Sequence, residues 1–142
     1  MAATVQEATQ LLVPDVRREA DWFAEPGHKQ FIDPVSLGLI AMGLIKLFAA
    51  AAATAAGTET GKLAVDYVRD LIAGRAKVSP EEVEAEAAAA RSKLAALPAA
   101  DATARLTQAQ ATIADQCAQV MPRPRAVSFA SRIHDAALAL LQ

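Results

Sequence analysis

The segment from Pro34 to Gly57 is the most apolar stretch of the sequence, and it carries one charge, Lys46, near its midpoint. As a helix, the 23 residues from Pro34 to Ala56 extend about 34 Å, enough to cross a hydrocarbon core of about 30 Å. Its eight Leu, Ile, Val and Phe residues favour insertion by about 3 to 4 kcal/mol, and a central Lys costs about 3. Because these terms nearly cancel, the sequence argues against a constitutive transmembrane helix.

The composition favours an all-α fold of one domain. The chain has 142 residues, of which 54% are hydrophobic, only 4% are aromatic and 36 are alanine. Small aliphatic side chains favour helices that pack closely, and no alternating strand pattern is present. We predict a single helical domain over residues 1–142, built as a bundle of about five to six helices around a central apolar helix, 34–56.

The N-terminal half is predicted to hold surface helices followed by the central helix. Over residues 1–32 we expect a helix from Thr4 to Leu12 and a second one that begins at Pro14, since proline favours the first turn. This terminus lacks the pattern of a secretory signal and is expected to stay on the mature protein. Over 33–74 we expect the apolar helix, ending at Gly57, and an amphipathic helix that ends at Gly74.

The C-terminal half begins with the clearest local signal, the sequence SPEE at residues 79–82. It predicts a capping box, with Ser79 as N-cap and Glu82 at the third helical position. Two apolar stripes of similar length follow and predict an antiparallel helical hairpin over 79–120. The prolines of residues 121–125 predict a stiff connector. A last helix over 125–142 is expected to bury Val127, Ala130 and Ile133 on one face.

Several kinds of chemistry are not supported by the sequence. The net charge of −2 and the scattered basic residues argue against nucleic-acid binding. Residues 57–62, GTETGK, lack one residue of the phosphate-binding spacing, and Leu63 follows the Lys, so we interpret them as a turn. His28 and His134 lack ligand partners at helical spacing. We expect no enzyme activity, cofactor, metal or small-molecule substrate, and we expect Cys117 to be buried in a reducing compartment.

The residues DPVSLGLI at positions 33–40, with the alanine-rich continuation to residue 57, resemble the apolar helix of HeLo-type cell-death helical bundles. The resemblance covers about 25 residues. It implies a four-helix or five-helix bundle that permeabilises membranes once a sensor has oligomerised it. In that family the apolar helix begins the chain, whereas about 32 residues precede it here.

Two functions therefore stay open for a cytoplasmic, non-enzymatic helical module. One is a membrane-active or effector-associated bundle whose apolar helix is conditionally exposed. The other is a soluble module for binding a protein partner or for homo-oligomeric assembly. The position of Lys46 separates them, because an ammonium that reaches solvent or a surface carboxylate favours the soluble module. The candidate membrane or partner contacts are Leu37, Ile40, Leu44, Lys46, Leu47, Phe48, Arg123 and Arg125.

Overall fold

The computed structural model describes residues 3–23, 34–54 and 63–142. Within them the chain forms six α-helices, and a short 3-10 turn, Ala20–Phe23, follows the first of them. The helices are α1 (Val5–Glu19), α2 (Pro34–Ala53), α3 (Leu63–Ile72), α4 (Pro80–Ala95), α5 (Ala99–Cys117) and α6 (Arg123–Leu141).

Helix α2 packs against each of the other five helices, most extensively against α4. Ile40, Leu44 and Phe48 are almost completely shielded from solvent on its inner side. The predicted all-α bundle around the apolar helix is therefore confirmed, as is the start of that helix at Pro34. The expected end at Gly57, the expected turn at 57–62 and His28 lie outside the described residues.

Helix α1 runs unbroken through Pro14, so the prediction of a fresh helix at that residue is wrong. The helix begins with a full capping box, in which the Thr4 hydroxyl accepts from the Glu7 amide and the Glu7 carboxylate accepts from the Thr4 amide. Pro14 is exposed, whereas Leu12 and Val16 on either side of it are buried. Packing of the continuous apolar face offsets the roughly 3 kcal/mol that a helical proline costs.

The two helices of the predicted hairpin, residues 79–120, do not pack chiefly against each other. Helix α4, which buries Val83, Ala87 and Ala90, packs chiefly against α2. Helix α5 packs chiefly against α6, and these two form the helical hairpin of this half of the chain. A periodic apolar face shows that a helix has a neighbour, but it does not say which helix that neighbour is.

Of the two hydrogen bonds in the capping box predicted for α4, the one to the Ser79 side chain forms, and the Glu82 carboxylate has a different partner. The Ser79 hydroxyl accepts a hydrogen bond from the Glu82 amide at 3.2 Å, while the Glu82 carboxylate accepts from Lys46 on α2. The predicted end of α3 near Gly74 is confirmed, since this glycine has a φ of +75° and its amide donates to the Leu71 carbonyl. These two turns place the start of α4 beside α2.

Helix α6 begins at Arg123, earlier than expected, because Pro124 lies in its first turn, where no amide donor is required. The prediction that Val127 is buried is wrong, since it is 46% exposed. Ala126 and Phe129 occupy the inner face instead, and the Phe129 ring lies 6.2 Å from that of Phe23. Ala130 and Ile133 are buried as predicted.

Candidate functional site

Lys46, the one charge of the apolar segment, lies at the edge of the bundle and contacts two other helices. Its Nζ donates to Glu82 Oε2 at 3.1 Å and lies 5.9 Å from the centre of the Tyr67 ring. Its side chain is 26% exposed, and that of Glu82 is 49% exposed. The ammonium therefore has both a carboxylate and access to water, which is the arrangement expected of a soluble bundle.

Burial by itself would lower the pKa of Lys46, but its neighbours outweigh that effect. The hydrogen bond to Glu82 and the charges of Tyr67, Glu82 and Glu86 raise the pKa of Lys46 above its ordinary value. Burial is also the main reason that the pKa of Tyr67 is raised. Lys46 therefore stays protonated, and its positive charge contributes to the contact between α2 and α4.

The apolar candidates on α2 mostly lie inside the bundle. Leu37, Ile40, Leu44 and Phe48 are buried, and Leu47 is half-buried. In the folded chain these side chains contact other helices of the same molecule rather than an outside surface. A membrane or partner reaches the four buried ones only if α2 separates from its neighbours.

The two arginine candidates at the start of α6 both form ion pairs with carboxylates of the same chain. Arg125 Nη1 donates to both carboxylate oxygens of Glu19, at 3.0 and 3.2 Å. Arg123 Nη1 donates to Asp115 Oδ1 at 3.0 Å. The two pairs differ in burial, because the Glu19 side chain is only 9% exposed and that of Asp115 is 67% exposed.

An open groove runs along the other side of α2, between α1 and the start of α4. It has a volume of about 390 Å³, and none of the described residues that line it is charged. The lining residues are Val5, Gln6, Thr9, Val35, Gly38, Leu39, Met42 and Pro80. Of the described lining residues only Thr9 carries a hydroxyl, and it already donates to the Val5 carbonyl at 2.7 Å. The groove therefore offers an apolar surface with the Gln6 amide at its edge.

Val35, Gly38, Leu39 and Met42 form the floor of this groove, and we call these four residues the α2 stripe. Their spacing of i, i+3, i+4 and i+7 places them on one helix face. Val35 is 73% exposed, and no described atom lies within 4 Å of the position that a Cβ on Gly38 would occupy. No described residue therefore fills the space beside Gly38 in the middle of the stripe.

Gly43, on another face of α2, is closely surrounded by side chains of α3, unlike Gly38. A Cβ there would lie 2.5 Å from Leu71 Cδ1 and 2.9 Å from Tyr67 Cε1. Helix α3 therefore packs closely against α2 at Gly43. The α2 stripe was not singled out from the sequence, although its heptad-like spacing is visible in residues 35–42.

A second, wider groove between α1 and α4 shares Val5 and Pro80 with the first. Its floor includes Ala85 and Ala88, and charged groups line it, among them the ion pair of Arg91 with Glu84. The α2 stripe therefore belongs to the uncharged part of a longer surface depression.

His134, the histidine within the described residues, packs its ring edge-on against Phe48 at 5.6 Å between ring centres. Its Nδ1 lies 3.2 Å from Asp135 Oδ1. Among the described residues, no group of three or more His, Cys, Asp or Glu side chains is placed to hold a metal ion. His134 thus has a packing role in the contact between α2 and α6.

Comparison with models of known protein families, with curated proteins and with solved structures found no match. Of the described helices, α2 alone is long and apolar enough to cross a membrane, over Val35–Ala53, and half of that length is buried in the bundle. Within the α2 stripe, Val35 is exposed, whereas Gly38, Leu39 and Met42 are partly buried.

Proposed function

We propose that this protein is a non-enzymatic helical module that binds an apolar helix of a protein partner along the α2 stripe. The observation that supports this most is the uncharged groove of about 390 Å³ over the most apolar helix of the chain. Val35 is exposed at this groove, and Leu39 and Met42 are partly buried. The apolar surface that these side chains leave open adds nothing to the stability of the bundle, whereas a binding surface needs accessible apolar side chains.

The shape of the groove suits a helix rather than an extended peptide. The floor is itself a helix, and the free space above Gly38 can accept one large side chain from a helix that crosses α2. From Val35 to Met42 the stripe extends about 10 Å, or two turns. Recognition of a helix in an apolar groove uses a few anchors at i, i+3, i+4 and i+7, which fits a stripe of this length.

The test uses helical peptides selected against the purified protein from a library with Leu, Met and Ala on one face. We expect Gly38→Leu to weaken the selected peptides at least tenfold, about the effect of losing one anchor, because the new side chain fills the free space. Since no described atom lies within 4 Å of that Cβ position, circular dichroism should show an intact fold.

Val127→Ser is the matched control, because it changes an exposed apolar residue on α6 that does not line the groove. It should leave peptide binding unchanged. If no selected helix distinguishes Gly38→Leu from the wild type, the proposed function is wrong.

Membrane entry of α2 is a second candidate, and the length and apolar character of Val35–Ala53 favour it. The resemblance of residues 33–57 to the HeLo-type helix supports the same candidate. Against it stands the Lys46–Glu82 ion pair, which must break before α2 can leave α4.

Liposome leakage distinguishes this candidate from the first. Lys46→Leu removes a charge that costs about 2.5 to 3.5 kcal/mol at the centre of an inserted helix, so leakage should rise strongly, while Lys46→Arg should not raise it. Leu44→Glu places a charge in the same segment and should abolish leakage. Leakage that is the same in wild type, Lys46→Leu and Leu44→Glu excludes insertion of α2.

A further inference from the structure

A second open surface lies where α1 packs against α6, apart from the two grooves. On α1 it carries Leu11 and Trp22, which are 59% and 38% exposed, and Arg18 between them. Leu11 and Arg18 are two turns apart on one side of the helix, and Trp22 follows one turn later. None of the three lines either groove, so this surface is separate from the α2 stripe.

Ion pairs bring two arginines of α6 to the same surface. Arg132 Nε lies 3.9 Å from Asp15 Oδ1, and Arg125 Nη1 donates to Glu19 Oε1 at 3.0 Å. Arg18 Nη1 lies 3.6 Å from the same Asp15 oxygen. We define the α1–α6 face as Leu11, Arg18, Trp22, Arg125 and Arg132.

In these ion pairs the arginines lie outside and the carboxylates inside. The three arginine side chains are 52 to 63% exposed, whereas those of Asp15 and Glu19 are 16% and 9% exposed. Two arginines share Asp15, so three cations face only two carboxylates. A partner that approaches this face therefore meets guanidinium groups first, and each of them has more N–H donors than its ion pair uses.

Asp135 indicates where on the face an acidic partner fits best. It lies one turn beyond Arg132, its side chain is 64% exposed, and its Oδ1 is 3.2 Å from His134 Nδ1. The pairs of Arg125 with Glu19 and of Arg132 with Asp15 show that α6 runs antiparallel to α1. Asp135 therefore lies toward the Leu11 end, and the arginines form the basic end, beside Trp22.

We propose that the α1–α6 face binds an acidic helix of a protein partner. Carboxylates of the partner pair with the three arginines, and its apolar side chains contact Leu11 and Trp22. Arginine and tryptophan are the residue types that most often dominate binding energy at protein interfaces. The buried carboxylates hold the guanidinium groups in place before the partner arrives, which lowers the entropic cost of binding.

The dimensions and the burial of the face favour a helix over a lipid surface. Leu11 and Trp22 are eleven positions apart in the sequence, about 16 Å or three turns of helix. Binding to a membrane surface requires apolar side chains that insert between the lipids. More than half of the Trp22 surface is covered by the bundle, so its ring can contact a partner without inserting.

Trp22 is the single tryptophan of the chain, so its fluorescence reports on this face. The probes are helical peptides of at least three turns, selected against the whole protein from a library with Leu, Ala, Glu and Lys on one face. We expect the selected peptides that shift the Trp22 emission to be enriched in Glu over Lys. Their binding should weaken as salt is raised, because salt screens exposed charges.

Arg18→Gln and Arg132→Gln should each weaken these peptides about tenfold, as expected for the loss of one charge-assisted hydrogen bond. Each variant leaves Asp15 one arginine, so circular dichroism should show an intact fold. Arg123→Gln is the matched control. It removes the same charge from a side chain that is 62% exposed and pairs with Asp115 instead, and it should leave binding unchanged.

Three outcomes overturn the inference. One is a set of selected peptides without enrichment in Glu, and another is equal weakening by Arg123→Gln and by the two face variants. The third is a Trp22 shift with vesicles of phosphatidylcholine and phosphatidylserine but with no peptide, which would make the occupant a lipid surface. Peptides of the α2 stripe are recognised by their sensitivity to Gly38→Leu, which should not affect binding at the α1–α6 face. The two proposals therefore stand or fall separately.

Discussion

Two glycines of α2 should respond in opposite ways when a methyl group is added. Gly38→Ala meets no described atom within 4 Å, so it should stabilise the protein by about 0.5 to 1 kcal/mol through helix propensity. Gly43→Ala would push against Leu71 and the stiff Tyr67 ring. Overpacking typically costs about 1 to 3 kcal/mol, which should outweigh the propensity gain and lower the free energy of unfolding in urea. Equal effects of the two changes would contradict the packing of α3 on α2.

Gln116 is buried in α5, and among the described residues neither its side-chain oxygen nor its nitrogen has a hydrogen-bond partner. A buried amide without partners costs about 1 to 3 kcal/mol. Gln116→Met keeps the length of the side chain and removes both polar atoms, so we expect a higher melting temperature. The same change at the exposed Gln119 should have little effect, and a destabilised Gln116→Met variant would show that the amide has a partner in solution.

The buried Cys117 makes the protein sensitive to alkaline pH. Burial raises the pKa of its thiol from 9.0 to about 12. In the unfolded chain the thiol ionises near 9.0, whereas the folded chain keeps its proton, so the free energy of unfolding falls as pH rises from 9.0 towards 12. The raised pKa values of Lys46 and Tyr67 act in the same direction. In urea titrations above pH 9, Cys117→Ala should show a shallower fall than the wild type, and parallel curves would argue against a buried thiol.

The contact between α2 and α4 includes a single ion pair, and its contribution to the free energy of unfolding can be measured. Because Glu82 is 49% exposed and Lys46 is 26% exposed, water screens the pair, and we expect a coupling energy of about 0.5 to 1 kcal/mol. A double-mutant cycle with Lys46→Met and Glu82→Gln gives this value, and it should shrink in high salt. A coupling near zero would mean that apolar packing alone joins these helices.

The elements themselves were largely predictable, because their signals are local. Ser79 and Pro34 mark helix starts through capping and proline geometry, and Gly74 marks an end through its positive φ. The prediction at Pro14 was wrong because it, too, relied on a local signal. Its local signal indicates a helix start, but the tertiary packing of Leu12 and Val16 overrides that signal.

Which helices pair, and which face stays open, depend on contacts that no short segment encodes. The stripe of Val83, Ala87 and Ala90 is equally compatible with α5 and with α2 as neighbour. The candidate site was missed because a helix that is apolar nearly all round does not reveal which of its faces the bundle leaves uncovered. Leu44 and Val35 are alike in sequence terms, yet one is buried and the other is 73% exposed.

At the scale of the whole molecule, α1 and α6 are joined by charges as well as by packing. Arg125 pairs with the nearly buried Glu19, and Arg132 lies 3.9 Å from Asp15. Arg125→Met leaves the Glu19 carboxylate buried without its partner and should lower stability by about 1 to 3 kcal/mol. Arg123→Met, at the same helix start, breaks a pair whose side chains are both more than 60% exposed and should cost less than about 0.5 kcal/mol. Urea unfolding of the two variants checks this, and similar losses would contradict it.

The contacts of α2 with all five other helices also determine how the bundle can open. Without α2, helices α3 and α4 keep only minor contacts with the rest of the described chain, so they cannot remain in place as a separate folded unit. Withdrawal of α2 is therefore not a hinge motion or a local fluctuation but comes close to global unfolding in free energy. If this chain ever acts on a membrane through α2, its activity will follow the population of the denatured ensemble, so that every mutation that stabilises the bundle also restrains the activity.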